Sequence, residues 1–185
     1  MAQEAEARGV NDLATLPALR SLGSLADRLP AVVIDTREQD PLPIARLPVI
    51  RAGLYTGDYS VAGMEALFAV ERKSIADLVS CCAASNRERF EHELHRLRGF
   101  RFRRLLVVGK RSEIEAGAYR STIRPAAVLG TLAAFEVRYD CAVVFTDTPT
   151  EGAALVERWA WYAARELVTN TNGLLRATTQ KESEA

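Results

Sequence analysis

The chain has 185 residues, of which 48% are hydrophobic and 26% charged, enough for one globular domain with a sizeable core plus tails. Its 24 basic and 24 acidic residues cancel, which excludes a protein that coats nucleic acid by bulk charge but leaves room for a local basic patch. No apolar run approaches the roughly 20 residues of a membrane span, and the acidic start MAQEAEARG does not read as a secretory signal, so no membrane partner is expected. In chain order, residues 1–30 carry Leu13, Leu16, Leu19, Leu22 and Leu25 interrupted by Pro17, and read as an N-terminal extension or docking arm. AVVID (31–35) predicts a strand of β-branched residues, and LPVIRAGL (47–54) a second. YSVA (59–62) and LFAVE (67–71) flank Gly63 in a hairpin-like arrangement. From Ser74 the pattern turns helical. A second helix follows from about Arg87, with Phe90, Leu94 and Leu97 spaced i, i+4, i+7. RLLVV (104–108) and AVVF (142–145) are apolar without alternation, as strands covered on both faces are. Between them PAAVLGTLAAFEVRY (125–139) predicts a helix opened by Pro125. Thr148, Pro149 and Glu151 predict the capped start of a last helix, with a buried stripe of Leu155, Val156, Trp159, Ala160, Ala163 and Leu167. Residues 169–185 read as a polar, mobile tail. The sum is an α/β domain over residues 31–168, a mixed sheet flanked by helices.

Cys81, Cys82 and Cys141 are odd in number and lack CxxC spacing. A disulfide framework or zinc site is not expected, and a reducing cytoplasm fits. His92 and His95 sit three apart in a charged helix and read as solvent-facing rather than as metal ligands.

The charged triplet Glu71-Arg72-Lys73 ends an apolar strand. Alternation puts Glu71 and Lys73 on one face and Arg72 on the other. IDTRE places Asp35 and Glu38 just past the first strand, and GDYS places Asp58 at the start of the third. If these strands are neighbours, Asp35, Glu38, Asp58 and Glu71 gather in one small volume. Crowded carboxylates either take up protons or bind a hard cation. Oxygen-only ligands suit Mg²⁺ or Mn²⁺ rather than zinc, and such ions serve phosphodiester chemistry. Lys73 can then orient water or offset charge building on phosphorus.

GDYS, twelve residues from Tyr59 to Val70, then ERKSIAD gives GD-x12-ERK-x3-D, preceded by D-x-R-E. This resembles the signature of the XPF family of structure-specific endonucleases, which includes the archaeal Hef nuclease. The likeness extends over residues 31–168. It implies a restriction-endonuclease-like fold, metal-dependent hydrolysis of DNA near branches, flaps or junctions in repair or recombination, 5′-phosphate and 3′-hydroxyl ends, and a homodimer. By position, Glu38, Asp58 and Glu71 resemble the metal-binding acids. Asp35, Arg37, Arg72 and Lys73 correspond to further active-site positions, Asp77 to the last acid, and Arg89 to an arginine near the family's site. Family members commonly append tandem helix-hairpin-helix repeats, for which this sequence leaves no room. Extra grip on DNA would come from a DNA-binding or helicase partner supplied in trans. The rival expectation is a non-catalytic DNA-binding scaffold subunit; such partners lose the acids or the lysine, and this chain keeps them.

Several of these residues carry a plainer alternative. Asp77 follows Ser74 by three, so the two can form a capping box at a helix start. Arg72 can form a structural pair with Glu38, and Asp35 can be a turn former. Residues 87–104 hold seven arginines against three glutamates. With Arg101, Arg103 and Arg104 at its end, this stretch reads either as a DNA backbone track or as a solvated helix face. Phe100 and Phe102 are base-stacking or core residues. Of Trp159, Trp161 and Tyr162, one is left over as a candidate for a subunit interface.

Overall fold

The computed structural model describes residues 28–182, so the leucine-bearing stretch before Arg28 lies outside the described residues. Six strands form one sheet: β1 (Val32–Asp35), β2 (Val49–Ala52), β3 (Tyr59–Val61), β4 (Phe68–Ser74), β5 (Phe102–Val108) and β6 (Ala142–Thr146). Five helices accompany them: α1 (Ile75–Cys82), α2 (Ala84–Leu97), α3 (Arg111–Glu115), α4 (Pro125–Tyr139) and α5 (Pro149–Glu182). The strand order is β2-β1-β3-β4-β5-β6. β1 is parallel to β2 and antiparallel to β3, β3 is antiparallel to β4, and β4, β5 and β6 run parallel.

Each face of the sheet has its own core. Ala69, Leu105 and Val107 meet Leu78, Phe90, Leu94 and Phe135 from α1, α2 and α4. Phe68, Val70 and Leu106 meet Val156 and Ala160 from α5. Both faces of β4 and β5 are therefore covered, which is why RLLVV shows no alternation. The expected stripe of α5 lies on this second face, with Val156 and Ala160 buried and Leu155, Trp159, Ala163 and Leu167 partly buried. Trp161 is also buried, leaving Tyr162 as the exposed aromatic, 50% accessible.

Local rules set the element ends. Ser74 caps α1 by accepting the Asp77 N–H at 3.1 Å, and its hydroxyl donates to the Asp77 carboxylate at 2.7 Å. Pro125 opens α4, which closes on Asp140 in the left-handed region at φ 49°, a conformation aspartate tolerates better than most residues. Thr148 accepts the Glu151 N–H at 3.2 Å and so caps α5. The stretch read as a mobile tail from residue 169 instead continues α5 through Glu182. Composition alone missed this, because a polar stretch can extend a helix whose nucleus is already fixed by packing upstream. One buried acid escaped the stripe pattern. Glu157 on α5, 2% exposed, accepts the backbone N–H groups of Ala45 and Arg46 and pairs with the Arg46 guanidinium at 2.6 Å, so it ties down the loop before β2.

Candidate active site

Topology brings the charged residues together. β1 ends where β3 begins, because the two are antiparallel. β3 begins where β4 ends, for the same reason. The tail of β1, the head of β3 and the tail of β4 thus line one end of the sheet, carrying Asp35, Asp58 and Glu71–Lys73. The strand neighbours are tightly tied there: the Asp35 N–H donates to Asp58 C=O at 2.8 Å and the Asp58 N–H to Val70 C=O at 2.8 Å. Gly57 makes this approach possible. It sits at φ +84°, and a Cβ there would lie 3.1 Å from the Val70 carbonyl oxygen, so a side chain would push the turn away from β4.

The expected alternation holds. Glu71 and Lys73 both face α2, where the Lys73 ammonium bonds Glu71 Oε1 and sits 5.3 Å from the centre of the Phe90 ring. Arg72 points the other way, to Asp40 at 2.7 Å and Glu38 at 3.6 Å. A polar cleft of about 300 Å³ opens at this end of the sheet. Arg37, Glu38, Asp58, Arg72 and Lys73 line it from the strand side, Asp77 from α1 and Arg89 from α2. Glu71, 7% exposed, is buried beside the cleft-lining Lys73.

The acids differ in state. Asp35 is spent on the turn: it accepts the Arg37 N–H and guanidinium and the Leu54 N–H. The Arg37 hydrogen bond, with the help of the Leu54 and Arg37 backbone donors, holds it down at about 2. This is the turn-former reading of Asp35. Asp58 and Glu71 are the opposite. Burial pushes Asp58 up to about 6 against the pull of the Arg72 N–H and Lys73, with the Glu38 and Asp35 charges adding to the rise. Burial, then the Asp58 charge, pushes Glu71 up to about 7 despite Lys73. Burial alone would lower the Lys73 ammonium, but the Glu71 and Glu93 carboxylates outweigh it and hold it above its usual range.

Asp58 stands near both other expected ligands: Glu38 shares the cleft wall with it, and Glu71 lies on the neighbouring strand. Asp58 and Glu71 repel each other across the strand pair. Glu38 is turned to Arg72 and to the Asp40 N–H, which it accepts at 2.9 Å. Among the described residues, no three histidines, cysteines or acids are gathered closely enough to hold a metal ion. The donor chemistry still fits a hard cation. One oxygen of Asp58 takes the Arg72 N–H and one of Glu71 takes Lys73, which leaves each a second oxygen with no donor among the described residues. Magnesium commonly uses one or two carboxylates, with water and substrate phosphate filling the rest.

Comparison with known proteins follows the same lines. A profile of the ERCC4 domain matches residues 34–158, more than half of the chain. The chain belongs to the ERCC4 domain family. Among solved structures this ERCC4 domain is similar to XPF from Aeropyrum pernix, with a TM-score of 0.60 and 24% identity over 74% of this chain and 62% of that one. It is likewise similar to XPF from Aeropyrum pernix in complex with DNA, with a TM-score of 0.59 and 24% identity over 75% of this chain and 66% of that one. The domain thus spans just under two thirds of those solved chains. No curated protein matches it. The XPF resemblance and the mixed sheet flanked by helices read from the order of elements are both borne out.

Other expected residues fall outside the cleft. The ERCC4 domain places Arg101, Arg103 and Arg104 at the opposite end of β5, since Phe68 pairs with Phe102 and Lys73 with Val107. Arg103 is tied to Asp140 and to the Phe100 carbonyl at 2.7 Å. Arg104 lies over the Phe102 and Trp159 rings at 4.5 and 6.0 Å. Phe100 is buried and Phe102 stacks on Phe68 at 4.5 Å, so both are core residues. His92 and His95 are exposed. Sequence reasoning missed Ser80, Cys81 and Asn86, which complete the cleft wall, and Asp40 and Glu93, which hold Arg72 and Lys73. Glu93 left a signal. It stands three residues after Phe90, on the stripe otherwise made of Phe90, Leu94 and Leu97.

Proposed function

We propose that this ERCC4 domain is a Mg²⁺- or Mn²⁺-dependent endodeoxyribonuclease that hydrolyses phosphodiester bonds near branches, flaps or junctions in DNA, acting as a homodimer in repair or recombination. The observation that carries the reading is that Asp58, on the wall of a polar cleft, lies close enough to Glu71 to raise its carboxyl, with the Lys73 ammonium bonded to Glu71. A buried Glu71 and a half-buried Asp58, both with carboxyls pushed toward neutrality, are costly to keep unless a cation neutralises them. The DNA complex of a similarly folded XPF supports DNA as the substrate.

In this reading Asp58 and Glu71 would hold the ion, with Glu38 on the same cleft wall as a third ligand. Such an ion supplies an acidified water and a charge that polarises the phosphoryl oxygen. The chain's own residues do the rest. Lys73 faces the reacting phosphate and offsets negative charge that grows there. Arg89, across the cleft from the acids, binds a flanking phosphate and sets the strand's register. Asp35 and Arg37 stiffen the turn that carries Glu38, and Asp77 with Ser74 fixes the start of α1 under the cleft floor. Cleavage of branched DNA by the wild type and by Glu71→Gln, compared at equal DNA occupancy, tests the reading.

A further inference from the structure

Lys73 has two acidic neighbours, not one. Its ammonium bonds Glu71 on its own strand and lies 3.7 Å from Glu93 Oε2 on α2. The Phe90 ring, 5.3 Å away, walls one side of the ammonium between the two carboxylates. Lys73 is also Glu93's ion-pair partner among the described residues, whereas the adjacent acid on the helix, Glu91, is taken by Arg87 and Arg138.

A divalent cation on the free oxygen of Glu71 repels the nearby ammonium and draws charge from the carboxylate, which weakens the Lys73–Glu71 bond. Loading the Asp58–Glu71 pair therefore shifts the ammonium toward a second acceptor. The Lys73 side chain is only 17% exposed, so without a second acceptor its charge would be left buried and unpaired, which is costly. We propose that Glu93 is a positioning residue, the carboxylate that receives the Lys73 ammonium when a divalent cation occupies Asp58 and Glu71. Lys73 then stays beside the reacting phosphate instead of blocking the ion. This rests on the metal-dependent reading above and adds to it a residue that acts through Lys73 rather than on substrate.

The test is Mn²⁺ affinity of the full chain, measured by titration calorimetry without DNA, so that it does not depend on activity. Four proteins are compared: wild type, Glu93→Gln, Lys73→Met and the double variant. Glu93→Gln is expected to weaken Mn²⁺ binding about tenfold, the lower end of what removing such a supporting partner costs. In the Lys73→Met background the same change is expected to have no effect, because there is no ammonium to receive. Glu93→Asp, which keeps an acceptor, is expected to retain more affinity than Glu93→Gln. Unchanged affinity in Glu93→Gln overturns the inference. So does an equal loss in the Lys73→Met background, which would mean that Glu93 acts on the ion by its charge alone. If the wild type itself binds no Mn²⁺, the metal-dependent reading fails and the inference falls with it; wild-type binding with an unaffected Glu93→Gln sinks the inference alone.

Discussion

Asp58 Oδ2 accepts the backbone N–H of Arg72 at 2.7 Å, so one strand aims the carboxylate of its neighbour. The acid at the head of β3 is positioned by the sheet rather than by a loop, and its charge lies near enough to Glu71 to raise that carboxyl. Glu38 lies instead in the turn after β1, where its carboxylate accepts the Asp40 N–H of the same turn at 2.9 Å and faces Arg72 at 3.6 Å.

That contrast predicts unequal losses. Asp58→Asn and Glu71→Gln, which alter the ion's proposed ligands, should each cost more than the roughly tenfold to hundredfold of an outer supporting partner, while Glu38→Gln should cost about tenfold, the lower end of that range. Single-turnover cleavage rates at saturating protein check the ranking. Equal losses for all three would mean that Glu38 binds as tightly as the sheet-borne pair.

The raised carboxyls predict how stability depends on pH without metal. Asp58 moves from 3.8 unfolded to about 6 folded, so between those values the native state holds a proton that the unfolded chain has released. Stability therefore falls as pH rises through this window, and the penalty is complete above about pH 7. Asp58→Asn removes the charge but can still accept the Arg72 N–H. It should stabilise the metal-free protein by about 1–2 kcal/mol at pH 8 and leave it nearly unchanged at pH 4. Urea unfolding in a chelator at the two pH values measures this. A gain of equal size at both would assign the effect to packing rather than charge.

The basic stretch after residue 87 divides by position. Arg89 lines the cleft, whereas Arg103 is engaged by Asp140. Arg89→Gln should weaken DNA binding and reduce the slope of log affinity against log salt by somewhat under one, as loss of a single phosphate contact does. Arg103→Gln should leave the slope unchanged. Fluorescence anisotropy across a salt series distinguishes them.

Glu157 predicts a purely structural effect. Its carboxylate serves two backbone N–H groups and Arg46 while 2% exposed. Glu157→Ala strands those backbone donors, takes the carboxylate from the Arg46 guanidinium, which keeps the Ala154 carbonyl at 3.0 Å, and should cost on the order of 3 kcal/mol. The unfolding midpoint in denaturant would record it, and a loss under about 0.5 kcal/mol, the scale of an ordinary surface change, would mean that water replaces the carboxylate.

Much of this was legible in the residues. The strands announce themselves by apolar runs, α4 by Pro125, α1 by the Ser74 cap. The alternation within ERKS assigned Glu71 and Lys73 to one face and Arg72 to the other, and the structure agrees. What could not be read was which partner each charge takes. Asp40 and Glu93 reach Arg72 and Lys73 from 32 residues upstream and 20 downstream, and no local period encodes such a meeting. Glu38 illustrates the same limit: spacing placed it near the other acids, but Arg72 and Asp40 decide where it points. The continuation of α5 past residue 168 was hidden for a different reason. Its polar residues carry no core stripe, so the helix there extends from the packed turns before it.

The central claim is tested most directly by incubating the wild type, Asp58→Asn and Glu71→Gln with a labelled panel of flap, fork and linear DNAs, in Mg²⁺ and in chelator, at protein concentrations that give equal DNA occupancy. The wild type should cut the branched DNAs in Mg²⁺ and none in chelator, while both variants bind without cutting. Cleavage by either variant at the wild-type rate, or by the wild type in chelator, would contradict the account.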